Sequence, residues 1–150
     1  MCTVGRSGND LHCGGFDILE IAETCSFEEV AHLLVHGRFP NRAELAAYSA
    51  KLKALRVLPG PVRAALEAIP AAAHPTDVMR TGASALRCTL PEPHDHNAPA
   101  ARDIADRMMA SLGSMLLYWW HWGQNATRIE VETVAGGDRV DEGRWPRPLP

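Results

Sequence analysis

Apolar residues recur at helical spacing through most of the chain, and this spacing constrains the fold more than any other feature of the sequence. Ser26 and Glu29 have the spacing of a capping box, which opens a helix, and Gly37 is a typical helix stop. Between them, four apolar residues follow the i, i+3, i+4, i+7 pattern of one buried face: Phe27, Val30, Ala31 and Leu34. The pattern predicts a helix from Ser26 to Gly37 that buries this face.

Two further helices are predicted in the same way. Asn41 and Glu44 repeat the capping-box spacing, and Pro59 ends the second helix. Its apolar stripe consists of Leu45, Tyr48, Leu52 and Leu55. Pro61 suits the first turn of a third, shorter helix. The residues that this helix is expected to bury are Val62, Ala65, Leu66 and Ile69.

A fourth and a fifth helix complete the pattern. Thr76 or Asp77 caps the fourth helix, and its small residues at 82–85 let another helix approach closely. The fifth helix is predicted from about Pro99 to Trp122. Its apolar stripe consists of Ile104, Met108, Leu112, Met115, Leu116 and Trp119. Residues 116–120 are apolar on every side, so they require neighbours on more than one face.

The two ends of the chain lack this helical pattern. Residues 7–10 are typical of a turn between two short extended pieces, Thr3-Val4 and Leu11-His12, which predicts a small β-hairpin. From Val134 onward no period is visible, so the last residues are predicted to form a loose tail. The predicted fold is therefore all-α, with a β-hairpin at the start and an unpatterned tail at the end.

Composition excludes several classes of function. The 150 residues carry a net charge of -3, which gives no basic surface for a nucleic acid. The most apolar stretch, residues 115–122, is far shorter than the roughly 20 residues that span a bilayer. No two of the four cysteines form a CxxC pair. The N-terminus also lacks the apolar segment of a secretory signal. These observations predict a cytoplasmic protein with reduced thiols and with no metal, membrane or nucleic-acid partner.

One pair of histidines has a spacing that suits zinc. His32 and His36 lie four residues apart on a predicted helix, but the glutamate of an HExxH motif is missing between them. Helical phase places both histidines away from the stripe that contains Phe27 and Leu34. This placement favours a surface or interdomain role over a metal site.

Other reactive side chains lack partners in the sequence. Cys25 and Cys88 would act as nucleophiles only beside a base, and nothing places a base there. His94 and His96 lie in a proline-rich loop without a further ligand at useful spacing, which favours a solvated loop. Arg80 lies among apolar neighbours, where a buried or interfacial ion pair is favoured over a ligand contact.

The aromatic run at 118–122 could be mistaken for a base-stacking platform. Such platforms normally accompany a basic groove, and the nearest cation is Arg128. Packing in the core or at a subunit interface is therefore the preferred interpretation. The residues considered alone do not predict a catalytic centre.

Several stretches resemble the citrate synthase family. Residues 74–82, His-Pro-Thr-Asp-Val-Met-Arg-Thr-Gly, are similar to the family's His-Pro-Met-Asp-Val-x-Arg-Thr-Gly segment. Residues 26–40 are similar to the family's N-terminal part, and residues 2–12 and 117–133 resemble the bacterial 2-methylcitrate synthase branch. The resemblance divides the chain into a partial large domain over 1–133 and a non-homologous tail over 134–150.

The resemblance implies an all-helical fold with a large domain, a smaller inserted domain and a homodimer. Family members condense an acyl-CoA with oxaloacetate, and in this branch propionyl-CoA gives 2-methylcitrate during propionate breakdown. The resemblance implies one aspartate base and two catalytic histidines, with no metal and no cofactor beyond the acyl-CoA substrate. These residues belong to a later part of the family chain, so His74 and His121 are not among them. No catalytic, substrate-binding, cofactor-binding or metal-binding residue is carried over to residues 1–150.

Departures from the family lead to two alternative functions. Cys-Gly-Gly-Phe at 13–16 replaces the family's Tyr-Arg-Gly-Tyr, and the family's Gly-Gly-His-Phe-Leu does not follow Thr133. The first hypothesis is a truncated 2-methylcitrate or citrate synthase, ended by a frameshift or premature junction and inactive alone. The alternative is a non-catalytic helical protein that associates with itself or with a full-length subunit through segments 77–90 and 99–122. Exposed apolar surfaces are expected to make such a chain poorly soluble.

Overall fold

Three short strands open the fold. The computed structural model describes residues 2–4, 11–91 and 99–130. Its strands are β1 (Cys2–Val4), β2 (Leu11–Cys13) and β3 (Phe16–Asp17), paired antiparallel in the order β1-β2-β3. The β1–β2 hairpin confirms the sequence prediction, whereas β3 was not predicted. The turn expected at 7–10 lies outside the described residues.

Six helices follow the strands among the described residues. They are α1 (Ile18–Thr24), α2 (Phe27–His36), α3 (Arg42–Ala54), α4 (Gly60–Glu67), α5 (Pro75–Arg87) and α6 (Pro99–Asn125). The last five confirm the predicted helices. The short α1 was not predicted; it begins where the Asp17 carboxylate accepts a hydrogen bond from the Leu19 N–H at 2.8 Å. The mostly helical fold that the sequence predicted is confirmed.

Side-chain caps fix the starts of α2 and α3. The Ser26 hydroxyl accepts from the Glu29 N–H, and the Glu29 carboxylate accepts from the Ser26 N–H, which completes the predicted capping box. Asn41 and Glu44 exchange the same pair of hydrogen bonds at α3. Gly37 ends α2 in the left-handed conformation, with φ of 82°. The polar residues that the sequence analysis singled out therefore set these boundaries.

Two predicted boundaries were wrong. The second helix ends at Ala54 and not at Pro59, because the Leu55 N–H bonds back to the carbonyls of Lys51 and Leu52 and closes a tight turn. The cap of α5 is neither Thr76 nor Asp77, which lie inside the helix. It is His74, whose Nδ1 accepts from the Thr76 N–H at 3.2 Å. Here an imidazole nitrogen accepts the hydrogen bond that a side-chain oxygen usually accepts at the start of a helix.

A large apolar core lies around the C-terminal half of α6, where α4 and α5 pack. Its buried members are Leu58, Val62, Leu66, Val78, Leu86, Met115, Tyr118 and Trp119. Gly82 confirms the predicted close approach, because a Cβ atom there would lie 2.8 Å from the Met115 Sδ. We call the eight buried residues the apolar core.

A smaller cluster joins α2 and α3 to the N-terminal half of α6. Its buried apolar members are Ala31, Tyr48 and Leu52, with Met109 and Ala110 packed against them. It buries few apolar side chains, and polar groups occupy its centre. The single helix α6 thus belongs to two packed regions of different chemistry.

The predicted buried face of α2 was wrong in part: Ala31 is buried as expected, but Phe27 and Leu34 are not. Phe27 is 65% exposed and Leu34 is 47% exposed, whereas Ala31, His32 and Leu33 are buried. The neighbouring face is the one turned toward α3 and α6, where Tyr48 meets the imidazole of His32. Leu112 of the predicted α6 stripe is also at the surface, with 36% exposure. An apolar period gives a helix and its faces but does not say which face meets a neighbour.

Candidate functional site

Titratable side chains meet where α2, α3 and α6 pack together. They are His32 and His36 from α2, Tyr48 and Lys51 from α3, and Asp103 and Asp106 from α6. We call this group the junction cluster. It brings six titratable side chains together in the described part of the chain, and it defines the candidate site.

Asp106 is the centre of the junction cluster, and its side chain is completely buried. The Tyr48 hydroxyl donates to Asp106 Oδ1 at 2.7 Å, and Lys51 Nζ donates to Asp106 Oδ2 at 2.7 Å. Lys51 also reaches Asp103 Oδ1 at 2.7 Å near the surface. Each oxygen of the buried carboxylate therefore has a donor, as a buried charge requires.

The carboxylates shift the ionisation of both donors. Burial raises the pKa of Tyr48, and the hydrogen bond to Asp106 raises it further. Burial opposes the charge on Lys51, but its hydrogen bonds to Asp103 and Asp106 outweigh that effect and raise the pKa of the ammonium group. At neutral pH the cluster thus holds a neutral phenol and a charged lysine, and neither is poised to exchange a proton.

The two histidines lie inside this junction, which corrects their predicted surface position. The rings of His32 and His36 stack with centroids 4.5 Å apart, and both meet the ring of Tyr48 edge-on. His32 Nδ1 lies 2.8 Å from the backbone oxygen of Arg38. The tertiary partners on α3 and α6 therefore decide the orientation of α2, which the apolar stripe of that helix did not reveal.

His36 is the least satisfied member of the cluster. Its Nε2 atom is buried, makes no hydrogen bond and lies 3.5 Å from Asp106 Oδ2. Burial lowers the pKa of His36; the Asp106 carboxylate opposes this shift, and the neighbouring His32 adds to it. The net effect lowers the pKa of His36 and favours its neutral form.

A small pocket among the described residues does not adjoin the junction cluster. It lies beside Leu58, Arg63, Tyr118 and Glu130, and its volume is about 10 Å³. Room of that size suits a water molecule and not a cofactor or an acyl thioester. The buried part of the cluster, centred on Asp106, can stabilise packing, whereas Lys51 and Asp103 form a partly exposed ion pair.

A second polar network ties the chain that follows α6 to α4. Glu67 accepts from the Tyr118 hydroxyl at 2.6 Å and from Arg128 Nε at 2.9 Å. The hydrogen bonds from Arg128 and Tyr118 lower the pKa of the Glu67 carboxyl. Arg128 also lies over the ring of Trp122, at 5.4 Å from its centroid. This network holds the extended residues after α6 in one place.

The remaining predicted candidates do not join either network. Arg80 pairs with Asp77 one turn earlier, with 2.7 Å between Nη2 and Oδ1, and both side chains are exposed. The buried position expected for this ion pair was wrong, and an interfacial position stays a prediction. Cys25 and Cys88 are free thiols, and Cys25 Sγ has the Thr24 hydroxyl as its neighbour. His94 and His96 lie outside the described residues.

The aromatic run of α6 divides between core and surface. Tyr118 and Trp119 are buried, which confirms their predicted packing role. Trp120 is 38% exposed, and its ring meets Trp119 edge-on at 6.2 Å. Trp119 Nε1 is buried and makes no hydrogen bond. The run thus packs the core on one side and leaves one large aromatic side chain at the surface.

Metal and membrane sites are not found among residues 2–4, 11–91 and 99–130. In these ranges no three histidine, cysteine, aspartate or glutamate side chains are placed to hold a metal ion. None of the helices described combines the length and apolar character needed to cross a bilayer.

Sequence reasoning missed the centre of the junction cluster. Asp106 lies among other charged residues at the start of α6, and nothing in its local sequence marks it as buried. Tyr48 was assigned only to the apolar stripe of its helix, and Lys51 was not singled out. A partial signal was available, since His32, His36 and Tyr48 lie on helices joined by a short connection with capping boxes, which brings them close together.

Comparison with protein families gives one match that covers most of the chain. The family model described as citrate synthase, C-terminal domain, matches residues 1–137. The division into 1–133 and 134–150 stays a prediction. A solved citrate synthase from Thermotoga maritima superposes with a TM-score of 0.66 over 81% of this chain and 31% of that chain, at 24% identity. This likeness shows the fold.

The curated relatives indicate the same family. A 2-methylcitrate synthase of Shewanella oneidensis is 44% identical over 133 residues, which cover 89% of this chain and 35% of the relative. A 2-methylcitrate synthase of Mycobacterium tuberculosis is 38% identical over 108 residues, which cover 72% of this chain and 27% of the relative. The chain thus spans about a third of the length of these relatives.

Proposed function

Because the chain belongs to the citrate synthase family, we propose that it forms part of the helical large domain of a 2-methylcitrate synthase-type enzyme. The 44% identity to the Shewanella oneidensis relative is the observation that carries this proposal. The enzyme would condense propionyl-CoA with oxaloacetate and water to give 2-methylcitrate and CoA, as a step in bacterial propionate breakdown. Acetyl-CoA, giving citrate, is the alternative substrate. The free thiols at Cys25 and Cys88 are consistent with a reducing, cytoplasmic location.

The role proposed for these 150 residues is structural. The reaction needs a base for the carbon next to the thioester and donors for the developing enolate and carbonyl oxygens. The buried carboxylate of Asp106 already accepts from Tyr48 and Lys51, so it is not free to remove a proton from a substrate. Chemistry would therefore depend on the longer part of the enzyme that this chain does not span, and the 150 residues alone would be inactive.

An assay of CoA release tests this proposal. Purified chain is mixed with propionyl-CoA and oxaloacetate, and the free thiol of CoA is measured after subtraction of the protein's own cysteines. We expect a rate equal to that of the mixture without protein. The full-length Shewanella oneidensis relative is the positive control, with turnover on the order of 10 per second if it behaves as a typical enzyme. Turnover by the 150 residues within tenfold of this control would overturn the proposed inactivity.

A second candidate function is non-catalytic association, and the outer face of α6 favours it. Leu117 is 51% exposed and Trp120 is 38% exposed, and residues three apart on a helix are neighbours. Gly113 lies seven residues before Trp120 on the same side, and a Cβ atom there would meet nothing within 4 Å. The patch formed by Leu112, Gly113, Leu117 and Trp120 is apolar and open to the backbone of another helix. In this hypothesis it binds a second copy of the chain or a full-length synthase subunit.

Sedimentation velocity of the full chain tests self-association. We expect the wild-type chain to sediment as a dimer or a larger species at micromolar concentration, and the double variant L117S/W120S to shift toward monomer. The matched control is L19S, which changes a residue of similar exposure on α1, away from the patch. A wild-type chain that stays monomeric, or an equal shift in the control, would count against association through α6.

A further inference from the structure

We propose that the junction of α2, α3 and α6 is an acid-sensitive latch, in which a proton on His36 releases α2 and α3 from α6 while the apolar core stays folded. The geometry of the junction cluster carries this inference. His36 Nε2 is buried and makes no hydrogen bond, and Asp106 Oδ2 lies 3.5 Å away. That oxygen already binds Lys51 Nζ at 2.7 Å. A proton on Nε2 would therefore compete with an ammonium group for one oxygen.

The groups that face His36 leave little room for another positive charge. On its own helix, His32 stacks against it. From α3, the Tyr48 ring and the charged Lys51 face it. From α6, Asp106 supplies a buried negative charge, and the exposed Asp103 is already paired with Lys51.

The direction of the effect follows from the balance of these groups. Burial lowers the pKa of His36 in the folded chain, although Asp106 opposes the shift, while the released helix returns it to an ordinary value near 6.5. The released form then binds a proton more readily than the latched form. The stabilisation of the latch is complete above the released-state pKa and is lost as pH falls below it toward the lower pKa of the folded state.

Release is expected at this junction because it buries little apolar surface. Three buried apolar side chains hold α2 and α3 against α6, whereas the apolar core contains eight. Regions with few apolar contacts open at a lower free energy than the global unfolding of a protein. A modest change in charge can therefore open the junction without unfolding α4, α5 and the second half of α6.

Hydrogen–deuterium exchange of the full chain, read by mass spectrometry, tests the latch. Labelling times are scaled for the intrinsic effect of pH, and protection is compared at pH 7.5 and 5.5. We expect peptides from α2 and α3 to lose protection roughly threefold or more relative to peptides from α5. In the variant His36→Gln, which cannot titrate at this position, the relative loss is expected to disappear. The control His121→Gln, on α6 and outside the junction cluster, is expected to behave as the wild type.

Two outcomes would overturn the latch. One is equal protection of α2 and α5 in the wild type at both pH values. The other is a His36→Gln chain that is protected at pH 7.5 and still loses the protection of α2 at pH 5.5. If His36→Gln leaves α2 unprotected even at pH 7.5, His36→Phe repeats the test with a flat ring against Tyr48. Acid loss of α2 protection in that variant would equally reject the role of His36.

Discussion

Replacing Asp106 by alanine is expected to lower the free energy of unfolding by about 3 kcal/mol. The change leaves the buried Tyr48 hydroxyl without its acceptor and removes the buried partner of Lys51. Breaking one side of a buried, hydrogen-bonded charge pair costs more than the pair contributes, because the groups left behind stay desolvated. Urea denaturation followed by far-UV circular dichroism measures the loss.

Asp103 provides the matched control for this experiment. It also binds Lys51 at 2.7 Å, but its side chain is 67% exposed. Water can replace a surface partner, so D103A is expected to cost about 0.5 kcal/mol or less. D106N, which retains an oxygen acceptor for Tyr48, is expected to fall between the two. If D106A and D103A have equal effects, Asp106 does not organise the junction as described.

Replacing Gly82 by valine is expected to destabilise the chain by about 2 kcal/mol. A Cβ atom at Gly82 would lie 2.8 Å from Met115 Sδ and 3.3 Å from Leu66 Cδ2, and the two further methyl groups of valine need still more room. Both neighbours have no exposed surface, so neither can move aside into solvent. The thermal unfolding midpoint and the urea midpoint should both fall.

The variant G113V is the control that separates steric crowding from the intrinsic helix propensity of valine. Gly113 also lies inside a helix, but a Cβ atom there meets nothing within 4 Å. Since valine forms helices slightly better than glycine does, G113V is expected to change stability by no more than about 0.5 kcal/mol. A G82V chain as stable as G113V would mean that α5 and α6 do not pack as closely as the structure places them.

Local chemistry explains why much of the fold could be predicted from the sequence. The boundaries of α2 and the start of α3 depend on residues within three positions of each other, such as Ser26 with Glu29 and Asn41 with Glu44. The cap of α5 was missed because histidine rarely takes that role, and α1 was missed because its seven residues are too few to show a period. Boundaries set by short-range hydrogen bonds are thus the predictable part of this chain.

The junction cluster could not be predicted because its contacts connect distant parts of the chain. Asp106 and Tyr48 are 58 positions apart, and no periodicity relates the two. The sequence placed His32 and His36 on one helix correctly, but it assigned the buried face to Phe27 and Leu34. Which face is buried depends on α3 and α6, which supply Tyr48 and Asp106 as partners for the imidazoles.

Because α6 belongs to both packed regions, its position affects how the chain folds during synthesis on the ribosome. Synthesis is vectorial, so α2 to α5 leave the ribosome before the helix against which they all pack. The hydrogen bonds from Tyr118 to Glu67 and from Tyr48 to Asp106 connect residues 51 and 58 positions apart, and neither region can close until α6 has emerged. For that interval the apolar faces of α4 and α5 stay open to water and to chaperones. The folding of these two regions therefore waits for the synthesis of α6.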